Sequence, residues 1–323
     1  MNSPRVLCLG EILYDVLADQ LGRSMSEVES WTSYPGGAPA NVACALVKLG
    51  TSSGFIGAVG EDEPGNELVK LLEEIGVDTT GVQRDSEAPT RQVLVTRKQN
   101  GDRVFSGFKD YDTADFADTR LKAAKLPEKL FAESEILVMG TLELAYRETG
   151  AAVYRALELA SQHNVKILLD VNWRDVFWKD PETAPDKIRE LIKKVDFLKL
   201  AKEEAELLFD THDAGAITYR VNSLEGVLVT DGDKGCAYCL GENEDKLPAF
   251  SVSVADTTGA GDSFVAGFVH QLLNYGVQNL KDAEIVKKII AYASAAGALT
   301  TLKPGAIASQ PTAEEVEKFL KEH

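Results

Sequence analysis

Short apolar runs alternate with amphipathic helical stretches along most of this chain, and that alternation restricts the fold more than any other feature. The apolar runs cover residues 6–9, 54–59, 136–139, 165–170, 197–200 and 226–230. Between them, apolar side chains recur at helical spacing over 41–49, 63–75, 146–162, 186–194 and 202–209. Strands that read as near-continuous hydrophobic runs are covered on both faces, which a parallel sheet achieves with crossover helices. The expected architecture is therefore α/β, with a mainly parallel central sheet between two helical layers. The last third is mostly helical, over 261–276, 282–302 and 314–321, and Thr312 with Glu315 forms a capping box for the final helix.

One region breaks the pattern. Residues 90–108 alternate like a β-hairpin, with Gln92-Val93-Leu94-Val95-Thr96, a turn near Asn100-Gly101-Asp102, then Arg103-Val104-Phe105. Two more short extended pieces lie at 12–18 and 31–34. These strands, from about 11–36 and 90–116, predict a small sheet standing over the ends of the parallel strands. No linker, charged tail or internal repeat divides the sequence, so residues 1–323 are expected to form one domain.

The net charge of −17 disfavours nucleic acid and anionic membranes as partners. It does not exclude a phosphate substrate, because backbone dipoles and metal ions can reverse the local field. No apolar run approaches the ~20 residues of a membrane helix, and the first strand is too short for a signal segment. A cytoplasmic protein is expected. Four cysteines do not make a disulfide framework. Cys236 and Cys239 form a CxxC, but three positions along a strand put them on opposite faces, and nothing completes a zinc site. His163, His212, His270 and His323 are scattered and take no role.

The chemistry concentrates in Asp256-Thr257-Thr258-Gly259-Ala260-Gly261-Asp262-Ser263-Phe264. Gly259 and Gly261 allow backbone to approach a ligand, and an apolar helix begins at once. The free N–H groups of its first turn, aided by the helix dipole, suit an anion. Asp262 beside an anion site is where a base would take a proton from a hydroxyl attacking phosphorus. An Asp in a first turn can also be a simple cap.

This run resembles the D-T-x-G-A-G-D signature of the ribokinase-like (PfkB) carbohydrate kinases. Other landmarks follow in order from Gly10 to Gly305. The resemblance implies the three-layer ribokinase-like fold, with the small sheet as a lid over the sugar and as a surface for homodimer formation. It implies Asp262 as catalytic base and Gly259, Ala260 and Gly261 as the anion hole. The segment Gly36-Gly37-Ala38-Pro39-Ala40-Asn41 is similar to fructokinases, whose second Gly and Asn hold sugar hydroxyls, hence Gly37 and Asn41. Asp15, after the first strand, matches the family's other hydroxyl acceptor. Asp170-Val171-Asn172-Trp173-Arg174 resembles the family's D-x-N-x-R, which assigns Arg174 to a phosphate or sugar oxygen.

The remaining matches concern nucleotide and ions. The family's N-x-x-E places Glu204 near the waters of Mg2+, with Ala201 where Asn is usual. Its T-x-G-x-x-G corresponds to Thr230, Gly232 and Gly235, which taken alone would also read as a tight hairpin turn. Ser294 falls where the adenine-facing helix usually has Asn. Asp256, Thr258, Gly305 and Ser309 fit the loop that holds a monovalent cation, K+. There is no G-x-x-x-x-G-K-S/T and no strand followed by G-x-G-x-x-G, so neither a Walker-type kinase nor an NAD enzyme is expected. The expected activity is transfer of the γ-phosphoryl group of MgATP to a sugar, fructose giving fructose 6-phosphate. A kinase for ribose, ketodeoxygluconate or a nucleoside, and a non-catalytic scaffold, are the alternatives. Fructokinases often carry Arg shortly before Ala-Asp; here Lys109-Asp110-Tyr111 precede Ala114-Asp115.

Overall fold

The parallel sheet forms from the apolar runs as expected. The computed structural model describes residues 3–99, 103–108 and 111–323; the expected turn at 100–102, with Lys109 and Asp110, lies outside them. Among the described residues there are thirteen strands: β1 (Val6–Leu9), β2 (Leu13–Leu21), β3 (Trp31–Gly36), β4 (Ser53–Gly60), β5 (Asp78–Asp85), β6 (Gln92–Arg97), β7 (Arg103–Gly107), β8 (Ile136–Met139), β9 (Lys166–Asp170), β10 (Phe197–Ala201), β11 (Gly226–Thr230), β12 (Cys236–Leu240) and β13 (Asn243–Leu247). Nine of them make one sheet in the order β13-β12-β11-β10-β9-β8-β1-β4-β5. From β11 to β5 every pairing is parallel, whereas β12 and β13 add an antiparallel edge.

Two cores lie on the two faces of this sheet, and the strand period assigns side chains to them. Val6 and Cys8 join one core, while Leu7 and Leu9 join the other. Cys236 and Cys239 divide in the same way, as their spacing requires. On the first face lie α1 (Ala38–Lys48), α2 (Glu63–Ile75), α8 (Ala260–Tyr275), α9 (Ala283–Thr300) and α11 (Ala313–Glu322). On the other lie α3 (Glu128–Glu133), α4 (Arg147–His163), α5 (Ala184–Ile192), α6 (Lys202–Phe209) and α7 (Ala214–Arg220). A four-residue α10 (Ala306–Ser309) precedes α11. The capping box of α11 forms, with Thr312 N donating to Glu315 and Glu315 N to Thr312 Oγ1.

Helix α8 is held deep in the first core by Phe264, Val265, Phe268 and Leu272, all at most 5 % exposed. Burying one such side chain contributes about 1.5–3 kcal/mol. Gly267 lets α9 approach closely: a Cβ there would come within 3.0 Å of Ala293 Cα and 3.2 Å of Ala296 Cβ. The N-terminus of α8 is thereby fixed over the sheet.

The small sheet has the order β3-β2-β6-β7. The hairpin β6–β7 is antiparallel, and β2 pairs parallel with β6. Its inner side chains Val93 and Val95 are buried in the second core, while Val104 and Phe105 remain 37 % exposed. Strand β2 starts just after β1 ends, so this sheet grows from the carboxyl edge of the parallel one. The loops after β9, β10 and β11 leave that same edge, where ligands of open α/β sheets bind.

Candidate active site

The segment that leads into α8 divides between two clefts. Gly259 is its turning point, at φ +78°, and a Cβ there would sit 2.9 Å from Ala306 Cα, so only glycine fits. The larger cleft, about 690 Å³, is lined by Thr257, Ala260 and Gly261 from this segment. Thr230, Gly232 and Gly235 of the β11–β12 turn and Ser294 of α9 line it too. The smaller cleft, about 280 Å³, is lined by Asp256 and Thr258 from the same segment, with Asp15, Tyr34 and Arg97 of the small sheet and Gly305. Ala260 N donates to Thr257 O at 3.2 Å, whereas first-turn N–H groups such as those of Gly261 and Asp262 have no intrahelical acceptor.

Asp262 joins the two ends of the chain. Its Oδ2 accepts Asn41 Nδ2 at 2.8 Å. Asn41 stands in the first part of α1, 4 % exposed, and its Oδ1 is buried with no partner among the described residues. Gly37 caps α1 at φ +102°, where a Cβ would strike Glu11 O at 2.4 Å. Burial pushes the Asp262 carboxyl up to about 6; the bond from Asn41 and the charges of Lys199 and Arg174 oppose that rise, and Asp170 adds to it. Arg174 is exposed in the loop after β9, near enough to act on Asp262. That loop turns at Asn172, whose φ of +36° is a left-handed value that Asn tolerates better than most residues.

Lys199 was not singled out from the sequence, yet it is central here. It is 7 % exposed and pairs with Asp170 at 3.0 Å. A Cβ at Gly261 would lie 3.5 Å from its Nζ, so the ammonium sits directly beneath the glycine turn. Burial works against this charge, but Asp170, Glu204 and Asp262 outweigh it and hold the pKa above the usual lysine value. A lysine inside the buried run Phe197-Leu198-Lys199-Leu200 is the signal that marks it. Arg97 is a second addition, held at the small cleft by bonds from Nε to Ala18 O and from Nη2 to Asp19 O.

The remaining expected residues fall as follows. Glu204 accepts Trp173 N at 2.9 Å and Ala201 N at 2.7 Å through its two oxygens. Asp256 accepts Thr258 N and Oγ1 on one oxygen and Gly305 N, at 3.1 Å, on the other. Ser309 does not line the small cleft; its Oγ donates to Gly305 O and to Ala306 O. The β11–β12 link is indeed a tight hairpin, with Asp231 N donating to Gly235 O at 2.9 Å.

Residues 3–313 match the model of the pfkB family of carbohydrate kinases. The chain belongs to this family. It is a phosphotransferase acting on a carbohydrate, and its fold is the ribokinase-like one. The kinase is 35 % identical to probable fructokinase-5 of Arabidopsis thaliana, with 99 % of this chain and 98 % of that protein covered. Among solved structures it is similar to fructokinase with bound ATP from Xylella fastidiosa, at 27 % identity and a TM-score of 0.88, covering 98 % of each chain. It is also similar to a double mutant of Vibrio cholerae O395 fructokinase bound to fructose, ADP and potassium, at 25 % identity and a TM-score of 0.85, covering 99 % of each.

Proposed function

We propose that this kinase transfers the γ-phosphoryl group of ATP to the 6-hydroxyl of fructose. The observation that carries the reading is the division of residues 256–261 between a nucleotide-sized cleft and a smaller polar one. The relatives named as fructokinases support fructose as the acceptor. In this reading residues 1–323 act as one catalytic domain, because Asn41 and Asp262 complete one site from opposite ends of the chain. A panel of sugars in a coupled ADP-release assay tests the acceptor. Fructose should give the highest kcat/KM; preference for ribose, ketodeoxygluconate or a nucleoside would reassign the acceptor.

Asp262 takes the proton of the attacking hydroxyl. Asn41 Nδ2 orients the carboxylate, and its open Oδ1 accepts from a sugar hydroxyl. Asp15 and Gly37 bind the other sugar oxygens. The first-turn N–H groups of the glycine turn, with Arg174, stabilise charge on the transferred phosphoryl group. Lys199 keeps the ground beneath that turn positive. Thr230, Gly232, Gly235 and Ser294 hold the nucleotide. Because only ionised Asp262 can accept a proton, kcat/KM for the sugar should fall on acidification, to half its plateau near pH 6. A limb near pH 4 would show that burial does not govern this base.

Magnesium, when bound to the nucleotide phosphates, supplies charge neutralisation. Among the described residues no three acidic, His or Cys side chains cluster as a metal cage. That suits an ion held mainly by phosphates and water, with Glu204 ordering one of those waters. For the monovalent cation, Asp256, Thr258 and Gly305 offer hard oxygens at the small cleft. Ser309 belongs at most to the frame of that loop, since its hydroxyl donates inward. Potassium replacing tetramethylammonium at constant ionic strength should raise turnover; a flat response removes the site.

The lid is the proposed homodimer surface. Leu21 and Val104 are 41 % and 37 % exposed on it, which leaves apolar area for a second subunit to cover. Light scattering at micromolar concentration should give twice the chain mass, and a fully active monomer would exclude the dimer as a requirement. No described helix is long and apolar enough to cross a membrane. All four cysteines are free and buried, which favours a reducing compartment such as the cytoplasm.

A further inference from the structure

The small sheet is tied to the rest of the kinase through a buried arginine. Arg91 directly precedes β6 and is 1 % exposed. Its guanidinium forks onto Asp118, Nε to Oδ2 at 2.6 Å and Nη2 to Oδ1 at 2.9 Å. It also donates to Thr113 O at 2.8 Å and Thr113 Oγ1 at 3.1 Å. The rings of Phe108, Phe116, Tyr146 and Phe177 surround it, with centroids 4.6–5.8 Å away. An ion pair this dry adds little net stability over a well-packed apolar cluster. Its value lies in what it holds in place.

The partners decide what that is. Arg91 O accepts Tyr14 N, at the start of β2. Thr113 and Asp118 belong to the segment that returns from β7. Thr113 Oγ1 meets Tyr146 OH at 2.5 Å, and Tyr146 OH donates to Phe177 O at 2.8 Å. Phe177 N in turn donates to Arg174 O at 3.2 Å, closing the short turn that presents Arg174. Arg91 therefore joins both attachments of the small sheet, β2 through its backbone carbonyl and the segment after β7 through its guanidinium, and its Nη2 reaches Tyr146 OH at 3.4 Å on the way to the turn that presents Arg174.

We propose that Arg91 is a positioning residue that couples the sugar-binding lid to Arg174, with Tyr146 OH as the link. The proposal rests on the role assigned above to Arg174. Lysine cannot replace Arg91, because an ammonium lacks the planar fork that spans Asp118 and Thr113.

Tyr146→Phe is the sharpest test, since it removes the link and leaves the ring in the cage. It should lower kcat on the order of ten-fold, the scale of coupling between groups in one hydrogen-bond network. KM for MgATP should stay within about two-fold, because none of these residues lines the larger cleft. In an Arg174→Ala background the same change should cost nothing further. Arg91→Lys should behave as Tyr146→Phe does; if it fails to fold, Tyr146→Phe decides alone. Equal losses from Tyr146→Phe in both backgrounds, or no loss in either, would overturn the coupling while leaving Arg174 its role. A silent Arg174→Ala would overturn both.

Discussion

Asp262→Asn should reduce turnover by ~10²–10⁴-fold, the usual share of a general base, while MgATP binds as before. The substitution is nearly isosteric, and the new side-chain oxygen can still accept Asn41 Nδ2. The first-turn N–H groups are untouched, so the anion site survives. The fold should gain from the change at neutral pH. Burial raises the Asp262 pKa to about 6, so the folded wild type favours the protonated carboxyl and loses that contribution as pH rises through 6. Asn pays no such charge penalty, and the variant's melting temperature at pH 7 should equal or exceed that of wild type. Calorimetry for MgATP and coupled turnover measure the two halves separately. A variant within a few-fold of wild-type turnover would remove Asp262 as the base.

Lys199→Met should have the largest effect on stability. It leaves Asp170 in the interior without its cation, and breaking one side of a buried pair costs about 3–5 kcal/mol. It also withdraws a positive charge that lowers the Asp262 pKa, so the acid limb of the rate profile should move to higher pH. Adding Asp170→Leu should recover much of the stability but not the rate, because the charge beneath Gly261 stays absent. Denaturant unfolding and pH profiles of the single and double variants check this. A loss below about 1 kcal/mol would mean that the pair is not dry in solution.

The same pair shows where sequence reading stops. Apolar runs announce buried strands, so β1, β8 and β11 lie where the sequence places them. Helix α6 spans 202–209 as expected, whereas α1 starts three residues earlier than expected, at Ala38, because Gly37 with Pro39 opens a helix. The alternating runs 92–96 and 103–105 and the short pieces at 12–18 and 31–34 become the strands of the small sheet. Strands β5 and β13 were missed because they are polar edges: Asn243-Glu244-Asp245-Lys246-Leu247 has no buried residue to mark a face. Short helices α3 and α7 carry too few turns for a periodic signal. Lys199 meets Asp170 only through the register of β9 with β10. The Arg91 cage draws on residue 108 and on segments near 91, 113–118, 146 and 177, a convergence that only the folded chain reveals. Motif residues with local geometry, such as Gly37 and Gly259, were legible because a positive φ and close backbone approach demand glycine.

If Asp262 is the base, one hydroxyl of one sugar should receive the phosphoryl group at the turn before α8. Phosphorus NMR of wild-type protein incubated with MgATP and fructose tests it most directly. A sugar phosphomonoester on carbon 6 should form in step with ADP and without free phosphate. ADP with inorganic phosphate alone, a phosphoester at another carbon, or no turnover of any sugar would contradict it.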